Sequence, residues 1–465
     1  MTAKERLAIP PQEMPQQDAL ARARNMEEVA LGYTAEMAKK ESSRCLNCPA
    51  KPCVEGCPVK INIPGFLQAA SEGDFKKALS IIRESSLLPA VCGRVCPQER
   101  QCQKFCTVGK MFKDVGKAVA IGRVERFCAD NVEPEPALKA APTGKRVAVI
   151  GSGPASITCA ADCARAGHAV TMFEAFHKPG GVLVYGIPEF RLPKRIVDKE
   201  VEGLKALGVE IVTDFVVGKT RKLADMKKEF DAIFVGTGAG LPKFMDIEGE
   251  NLIGVFSANE YLTRANLMKA YLEDKAATPF WHGSKVAVLG GGNVAMDAAR
   301  MALRLGAKEV HLIYRRSEKE MPARIEEVHH AKEEGVIFHT LENAKRILGD
   351  EKGRVRAIEC LKYELGEPDA SGRRSPVAIA GSEFEFPVDT VIVAVGSGAN
   401  PLIAATTPEI EVDRKGHVLV DAATGMTKMD GVFAGGDIVL GAATVILAMG
   451  EGRVAAEGIN KYLSK

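Results

Sequence analysis

The residues most able to do chemistry are cysteines, and eight of the twelve in the chain fall into two closely spaced arrays. The arrays are Cys45-x2-Cys48-x4-Cys53-x3-Cys57, which Pro58 follows, and Cys92-x3-Cys96-x5-Cys102-x3-Cys106. Thiolates at these spacings, with one array ending in Cys-Pro, are typical of the runs that bind [4Fe-4S] clusters. Zinc is the alternative, but zinc sites more often pair two Cys-x2-Cys hooks, and this sequence has one. The spacing therefore favours iron-sulfur chemistry.

A glycine-rich turn after a short apolar run indicates a second kind of site. Residues 147–150 are predicted to form a buried strand, and a helix is predicted from about residue 155 to 166. The free backbone N–H groups at the start of such a helix favour a pyrophosphate. A second predicted strand, at residues 169–173, ends beside an acid that can accept hydrogen bonds from a ribose diol. The residues expected to contact this dinucleotide are Gly151, Gly153, Pro154, Ala155, Ser156 and Glu174.

The chain repeats this unit over residues 284–316. The second turn contributes the candidate nucleotide-binding residues Gly290, Gly292, Asn293 and Val294. Here the second strand ends on Arg315 and Arg316 instead of an acid. Glutamate suits an unmodified ribose and guanidinium groups suit a 2′-phosphate, so we predict FAD at the first unit and NADPH at the second. The alternative is that both arginines form a solvated edge.

Three further apolar strands complete the predicted sheets. Two of them, at residues 231–238 and 389–396, end on Gly238 and Gly396, where backbone can pass close to a ligand. The third leads from Val432 to a Gly-Gly-Asp turn and then to a glycine-broken apolar helix. The residues expected to contact the cofactor here are Gly435, Gly436, Asp437 and Thr444. The carboxylate of Asp437 is expected to face the ribitol of the flavin.

The order of these segments predicts an α/β fold in which two Rossmann-like domains follow a helical iron-sulfur domain, in a glutathione-reductase-like arrangement. The helical domain should span residues 1–142, with helices at 63–71, 75–84 and 119–129 and with residues 1–40 as an arm lying on another domain or subunit. The FAD-binding domain is predicted to be split into residues 143–260 and 400–465. The NADPH-binding domain is then inserted between them, at residues 261–399.

The overall composition argues against nucleic-acid and membrane partners. With 62 basic and 60 acidic residues the formal net charge is +2, so no global field attracts an anionic polymer or surface. The first residues lack the apolar core of a signal peptide, and no stretch approaches 18 consecutive apolar residues. We therefore expect a cytoplasmic protein whose cysteines serve metal or redox chemistry and whose partners are small ligands and other proteins.

Several motifs that occur together behind the cysteine arrays resemble the small subunit of bacterial glutamate synthase and its relatives. They are the first glycine turn, the run GGVLVYGIPEFRLP at residues 180–193, Tyr314-Arg-Arg with Met321-Pro-Ala, and Ala434-Gly-Gly-Asp437. The relatives include the N-terminal part of dihydropyrimidine dehydrogenase and the large subunit of the NADH-dependent ferredoxin:NADP oxidoreductase, an electron-bifurcating transhydrogenase. Residues 24–33 (RNMEEVALGY) and the Gly-Lys pair at 109–110 resemble that last subunit most. The resemblance covers nearly the whole chain.

The resemblance implies how the cysteines divide between two [4Fe-4S] clusters. One cluster would be held by Cys45, Cys48, Cys53 and Cys106, and the other by Cys57, Cys96 and Cys102 with Glu125 as a non-cysteine fourth ligand. Cys92 is then left over. Without the resemblance, Glu125 would be interpreted as a solvated side chain paired with Arg123 or Arg126, because charged residues on helices usually face water. The run at residues 180–193 adds Gly181 and Arg191 to the expected cofactor contacts.

These features together predict an oxidoreductase that exchanges hydride between NADPH and FAD and single electrons between FAD and two clusters. The resemblance implies coupling of NADPH to ferredoxin and NAD by flavin-based electron bifurcation, with a smaller flavin/[2Fe-2S] reductase subunit as partner. One alternative is the NADPH-oxidising small subunit of glutamate synthase, which feeds electrons to a large amidotransferase subunit. Another is a non-catalytic assembly subunit that keeps FAD only as structure. Two intact nucleotide turns and eight cluster-spaced cysteines argue against the second alternative.

Overall fold

The structure, a computed structural model, describes residues 1–135, 138–272, 276, 280, 283–368, 372 and 374–465. Residues 136 and 137 of the linker before the first nucleotide unit lie outside the described residues. In the described part of the N-terminal domain the regular elements are α1 (Ala3–Ala8), α2 (Ala19–Arg22), α3 (Ala35–Ser42), α4 (Pro52–Glu55), α5 (Ile63–Glu72), α6 (Phe75–Ser85), α7 (Pro89–Val95), α8 (Cys102–Phe105), α9 (Thr107–Phe112) and α10 (Ile121–Asn131), with short 3-10 helices at Gln98–Arg100 and Val115–Lys117.

The helices of this domain follow the apolar periodicity of the sequence. Asp74 caps α6 by accepting a hydrogen bond from the Lys77 backbone N–H at 3.0 Å, and α6 buries Leu79 and Ile82 against α5. The predicted bounds of α5 and α6 agree with the structure to within one residue. The third predicted helix begins at Ile121, two residues later than expected, because Ala120 is its N-cap.

Parts of the N-terminal arm contact both nucleotide-binding domains. Arg22 is buried, and its Nε donates to Glu334 Oε1 at 3.0 Å. The backbone N–H of Val29 donates to the Phe190 carbonyl at 3.0 Å. The arm predicted at residues 1–40 thus contacts other domains at Arg22 and Val29, whereas Arg6 donates to the Ser43 and Cys45 carbonyls of its own domain.

The first nucleotide-binding domain is a parallel sheet flanked by helices. Its first part comprises β1 (Arg146–Ile150), α11 (Pro154–Arg165), β2 (Ala169–Phe173), α12 (Val182–Tyr185), α13 (Lys194–Ala206), β3 (Glu210–Val212), α14 (Leu223–Met226) and β4 (Ala232–Val235). Its second part comprises α18 (Leu402–Thr406), β16 (Val432–Ala434), α19 (Asp437–Leu440) and α20 (Val445–Leu463). The strands pair in parallel in the order β16-β4-β1-β2-β3. All five strands therefore end at the same edge, where open α/β sheets bind their ligands.

Two segments far apart in the chain close this domain. Helix α20 packs along α11, and Gly452 makes the contact possible because a Cβ there would lie 2.2 Å from the Ala155 carbonyl oxygen. The C-terminal segment is thus held beside the first glycine turn.

The second nucleotide-binding domain repeats this design. Its elements are β6 (Val255–Ser257), α15 (Ala258–Asn266), β7 (Lys285–Leu289), α16 (Asn293–Arg304), β8 (Glu309–Tyr314), a 3-10 helix at Glu318–Glu320, α17 (Ile325–Glu333), β9 (Ile337–Thr340), β10 (Glu342–Gly349), β11 (Val355–Pro368), β12 (Arg374–Ala378), β13 (Phe384–Pro387) and β14 (Thr390–Val393). A parallel sheet runs in the order β6-β14-β7-β8-β9, and β11 pairs antiparallel with β10, β12 and β13.

The chain passes between the two domains through a two-stranded antiparallel pair, β5 (Leu241–Pro242) and β15 (Ser397–Gly398). The second domain is thus inserted in the first, as the sequence predicts. Because β6 hydrogen-bonds to β14, the predicted boundary at residue 260 falls inside the second domain, within α15, and is wrong. A three-residue strand carries too little apolar pattern to be recognised. Within the described residues, no helix is long and apolar enough to span a membrane.

Candidate functional site

Four cysteines from two segments of the chain surround one cavity of the N-terminal domain. They are Cys45, Cys48, Cys53 and Cys106, and the apolar side chains of Ile63 and Ile121 close part of the wall. Burial, and then the neighbouring thiols Cys45 and Cys106, raise the pKa of Cys53 to about 12. Such thiols ionise when a cationic group binds to them. The donor set therefore fits a metal-containing group.

A second cavity adjoins the first. It is lined by Cys57, Cys92, Cys96, Cys102 and Glu125. Ile63 and Ile121 line this cavity as well, so the two cysteine sets are separated by a wall of two isoleucines. The other side is closed by Ile446 of α20. The structure thus groups the cysteines in the two sets that the family resemblance implies, with Cys92 added to the second.

Glu125 points into the second cavity and does not pair with the arginines near it in sequence. Its side chain is 6% exposed, and its Oε1 has no hydrogen-bond partner among the described residues. Burial raises its pKa to about 8. Arg123 instead lies 3.4 Å from Glu326, and Arg126 lies 3.0 Å from Glu28. The interpretation of Glu125 as a solvated partner of Arg123 or Arg126 is therefore wrong.

Cys92 lines the same cavity but is fully buried against the C-terminal segment. Its Sγ lies 3.6 Å from Met449 Sδ on α20. Across the described ranges of the chain, no three His, Cys, Asp or Glu side chains have the arrangement of a single-ion site. The thiols instead surround cavities, and Glu125 adds to the second an oxygen donor without a partner.

The first glycine turn has the backbone that a dinucleotide site needs. Gly151 has φ +92°, and a Cβ there would lie 2.5 Å from the Gly236 carbonyl oxygen. Gly153 is the N-cap of α11, and a Cβ there would meet nothing within 4 Å. Pro154, Ala155 and Ser156 form the first turn of α11. The helix therefore presents its free N–H groups to open space.

Gly151 and Gly153 allow a matched test of this site. We expect Gly151→Ala to destabilise the domain by about 1–3 kcal/mol, because alanine at this φ is strained and its Cβ clashes with backbone. We expect Gly153→Ala to fold normally but to lose FAD, since its methyl group would occupy the space of the pyrophosphate. FAD content and denaturant unfolding of both variants measure the difference. Full FAD content with unchanged affinity in Gly153→Ala would place the pyrophosphate elsewhere.

Glu174 and Asp437 approach this turn from two strand ends. The Ser152 hydroxyl and the Phe176 backbone N–H, the latter at 2.8 Å, donate to Glu174, and burial raises the pKa of Glu174. Burial also raises the pKa of Asp437 to about 6. Tyr185 lies near both acids, and burial, then Asp437 and Glu174, raise its pKa to about 12. Sequence reasoning did not single out Tyr185, although it lies inside the run at residues 180–193.

Among the remaining predicted contacts of the first site, Gly181 and Gly436 lie beside the start of α11, and one, Arg191, lies in a different environment. A Cβ on Gly181 would lie 2.8 Å from Gly153 Cα, and one on Gly436 would lie 2.8 Å from Ala155 Cβ. Gly435 precedes Gly436, Gly238 follows β4 with open space beside it, and Thr444 caps α20.

Arg191 is the exception. Its Nη1 donates to both carboxylate oxygens of Asp297 at 2.7 Å, and its Nε lies 3.2 Å from Glu327. A buried guanidinium requires such partners. Arg191 therefore joins the two domains, and its predicted role in cofactor binding is not supported by its position.

The second glycine turn has the same close backbone approach. A Cβ on Gly290 would lie 2.4 Å from the Ala394 carbonyl oxygen, and Gly292 is the N-cap of α16. Asn293 begins the helix, and its Oδ1 accepts a hydrogen bond from the Arg324 backbone N–H at 2.9 Å. Val294 is exposed, and Gly396 has open space on its Cβ side.

Arg315 and Arg316 directly follow β8, at the edge of the sheet where ligands bind. Arg315 is exposed, and Arg316 is half-buried with its Nε donating to the Arg374 carbonyl at 2.8 Å. At this edge of a dinucleotide-binding sheet a 2′-phosphate would lie near the two residues.

The fold and these sites define a dinucleotide-binding oxidoreductase that carries an iron-sulfur domain at its N-terminus. The family "dihydropyrimidine dehydrogenase domain II, 4Fe-4S cluster" matches residues 22–136, and the family "pyridine nucleotide-disulphide oxidoreductase" matches residues 145–452. The chain is 37% identical to the glutamate synthase [NADPH] small chain of Azospirillum brasilense, covering 97% of this chain and 94% of that protein. It belongs to the glutamate synthase small-subunit family and is an NADPH-dependent FAD and iron-sulfur oxidoreductase.

A second relative shows that the same unit occurs in longer proteins. The chain is 40% identical to the NADP(+)-dependent formate dehydrogenase subunit beta of Moorella thermoacetica over 89% of this chain, but it spans only 60% of that protein. Among solved structures, FprA from Mycobacterium tuberculosis in complex with NADPH has a TM-score of 0.58 at 20% identity, covering 69% of this chain and 85% of that one. The likeness to FprA concerns the fold of the two nucleotide-binding domains.

Proposed function

We propose that the chain exchanges hydride between NADPH and FAD and passes single electrons through two [4Fe-4S] clusters, coupling NADPH to ferredoxin and NAD by flavin-based electron bifurcation together with a smaller flavin/[2Fe-2S] reductase subunit. The observation that carries the electron-transfer part is the contiguity of the sites. Thr444 and Ile446 lie at the start of α20, Ile446 walls the second cysteine cavity, and that cavity shares Ile63 and Ile121 with the first. The sites thus form a continuous series from the flavin domain outward.

The residues of the chain have separate roles in this proposal. The first glycine turn and Glu174 hold the pyrophosphate and ribose of FAD, and Asp437 faces its ribitol. The second glycine turn and the arginine pair hold NADPH. The thiols of the two cavities, with Glu125, hold the clusters. Tyr185 is half-buried, and the two acids of the flavin site raise its pKa together with burial.

Bound FAD supplies the conversion between the two-electron chemistry of NADPH and the one-electron chemistry of the clusters. The protein contributes the order of the sites. Ile446 lines the second cavity and not the first. A cluster in the second cavity would therefore exchange electrons with the flavin, and a cluster in the first would exchange them with the next carrier. The carboxylate of Glu125 would give the second cluster a different potential from the first, since ligand type is one control on potential.

Metal content provides the direct test of the cluster assignment. Anaerobically purified protein is expected to contain about eight iron atoms and about eight acid-labile sulfides per chain, because each cubic cluster holds four of each. Colorimetric iron and sulfide analysis of the same sample measures both. Stoichiometric zinc without sulfide would contradict the proposal.

The small-subunit role in glutamate synthase is the second candidate, favoured by the 94% coverage of the Azospirillum brasilense protein. The two functions require different partners. Affinity purification of the tagged chain from its own cells should recover a short flavin/[2Fe-2S] subunit in the first case and a very large amidotransferase subunit in the second.

An electron-balance assay separates the two functions further. Under bifurcation, the purified complex should reduce ferredoxin with NADPH only while NAD is reduced as well, because the energetically uphill electron transfer to ferredoxin is driven by the downhill one. Glutamate formation from 2-oxoglutarate and glutamine, with no dependence on NAD, would reject bifurcation.

A further inference from the structure

A set of hydrogen bonds joins the second cysteine array to a loop of the second nucleotide-binding domain. Arg324 Nη1 donates to the Arg94 carbonyl at 2.5 Å, and Arg324 Nη2 donates to Gln98 Oε1 at 3.2 Å. In the opposite direction, Arg100 Nη2 donates to the carbonyl of Met321 at 2.7 Å. Residues 94–100 lie between Cys92 and Cys102 in the sequence and include the candidate ligand Cys96. The loop at 321–325 is therefore fixed against the segment that carries part of the second cluster site.

The same loop contacts the second glycine turn. The backbone N–H of Arg324 donates to Asn293 Oδ1 at 2.9 Å, and that of Ala323 donates to the Gly291 carbonyl at 3.2 Å. Asn293 is the first residue of α16, whose free N–H groups are expected to receive the pyrophosphate of NADPH. One residue, Arg324, thus touches the nucleotide turn through its backbone and the cysteine array through its side chain.

Gln98 completes the connection to the second cavity. Its Nε2 donates to the carbonyls of Cys92 and Gly93 at 3.4 and 3.3 Å, while its Oε1 accepts from Arg324. Gln98 lines the second cavity, and it lies so close to α10 that a Cβ on Gly122 would be 2.1 Å from its Nε2. The Gln98 amide therefore has one orientation, which Arg324 helps to set.

Building on the proposed function, we propose that Arg324 is a positioning residue that couples nucleotide binding at the second glycine turn to the reduction potential of the cluster in the second cavity. A pyrophosphate bound at the start of α16 competes for the backbone N–H donors around Asn293. The loop that carries Arg324 therefore changes its position. The guanidinium and the Gln98 dipole then move relative to the cavity wall. Charges and hydrogen bonds close to a cluster set its potential, so the two sites are linked.

The direction of the charge effect follows from electrostatics. Reduction adds a negative charge to the cluster, and the Arg324 cation stabilises the reduced form. Arg324→Gln is therefore expected to lower the midpoint potential of one cluster and leave the other unchanged. Arg324→Lys keeps the charge but cannot reach both Arg94 and Gln98, so its potential without nucleotide should remain near the wild-type value.

The experiment measures this linkage in the anaerobic holoprotein. The probe is 2′-phospho-ADP-ribose, which carries the pyrophosphate and the 2′-phosphate but no redox-active nicotinamide. EPR-monitored redox titrations with and without saturating probe give the cluster potentials, and equilibrium titration gives the probe affinity of oxidised and reduced protein. By reciprocity, a tenfold difference in affinity between these states equals a shift of about 59 mV.

In wild-type protein we expect the probe to shift the reduction potential of one cluster. In both Arg324 variants we expect this shift to be lost and the affinity for the probe to fall about tenfold. Arg453→Gln is the matched control, because Arg453 also joins the N-terminal domain to a nucleotide-binding domain, donating to the Ser85 carbonyl at 2.7 Å, but touches neither Gln98 nor the second glycine turn. It should keep the shift. An Arg324 variant that retains the wild-type shift, or an Arg453 variant that loses it, overturns the inference. Wild-type protein without cluster signals or probe binding instead contradicts the proposed function.

Discussion

Replacing both Arg315 and Arg316 with alanine is expected to raise the KM for NADPH by two to four orders of magnitude. The preference of the enzyme for NADPH over NADH should therefore become smaller. Each guanidinium that contacts the 2′-phosphate contributes about 1.5–3 kcal/mol, and each 1.4 kcal/mol corresponds to about a factor of ten. NADH lacks the phosphate, so its KM should change little. Steady-state kinetics with both nucleotides and ferricyanide as acceptor measure the change.

The structure predicts that the two arginines contribute unequally. Arg316 already uses its Nε on the Arg374 carbonyl, which holds its side chain in place, whereas Arg315 is exposed and must be ordered when the phosphate binds. The single Arg316→Ala variant should therefore have the larger effect. Arg356→Ala is the matched control, because Arg356 is an exposed arginine of the same domain, 3.9 Å from Glu385. Unchanged NADPH kinetics in the double variant would show that the pair is a solvated edge.

The nucleotide turns were predictable because their signal is local. At both Gly151 and Gly290 the backbone φ is positive, and a Cβ would lie within 2.5 Å of a carbonyl oxygen. Glycine is the residue type that meets both requirements without strain. The flanking strands and helices follow from short apolar runs and from helical periodicity, so their ends agree to within about two residues. The duplication could be recognised for the same reason.

Features that depend on distant contacts were not predictable from local pattern. Nothing near Arg191 in sequence indicates that Asp297 and Glu327 neutralise it, and the hydrogen bonds of Arg324 to the cysteine array span 226 residues or more. The antiparallel strands β10 to β13 also went unrecognised, because they alternate exposed and buried residues too irregularly to stand out from loop sequence. The grouping of the cysteines came from family resemblance, since spacing alone permits several divisions.

Buried ion pairs explain how the second domain is held in its position. Arg300 and Arg304 both contact Glu334, which also accepts from Arg22 of the arm. Removing one member of such a network leaves an uncompensated buried charge, which costs about 3–5 kcal/mol. The network thus specifies one arrangement of the arm against the second domain, and the loop at 321–325 is presented to the cysteine array in that arrangement.

Glu125 provides the second large effect: Glu125→Ala is expected to leave one of the two clusters labile or absent, with iron and sulfide falling toward half of the wild-type content. Its carboxylate is buried at the wall of the second cavity, and its Oε1 has no partner within the described part of the chain. Burying an unpaired polar group is costly, so its presence there requires a compensating interaction. A metal ligand role supplies that interaction.

Glu125→Cys distinguishes a ligand from a merely structural carboxylate. A thiolate can replace the carboxylate at iron, so this variant should keep both clusters, and the change from a harder to a softer ligand should shift one reduction potential. Cys92→Ala is the matched control, because Cys92 lines the same cavity but packs against Met449, and it should retain both clusters if Glu125 is the ligand. Iron analysis and EPR spectra during stepwise reduction measure all three variants. Wild-type iron content and spectra in both Glu125 variants, with loss of a cluster in Cys92→Ala, would instead identify Cys92 as the fourth ligand. Among the described residues that line this cavity, Cys92 is the thiol not already assigned to a cluster.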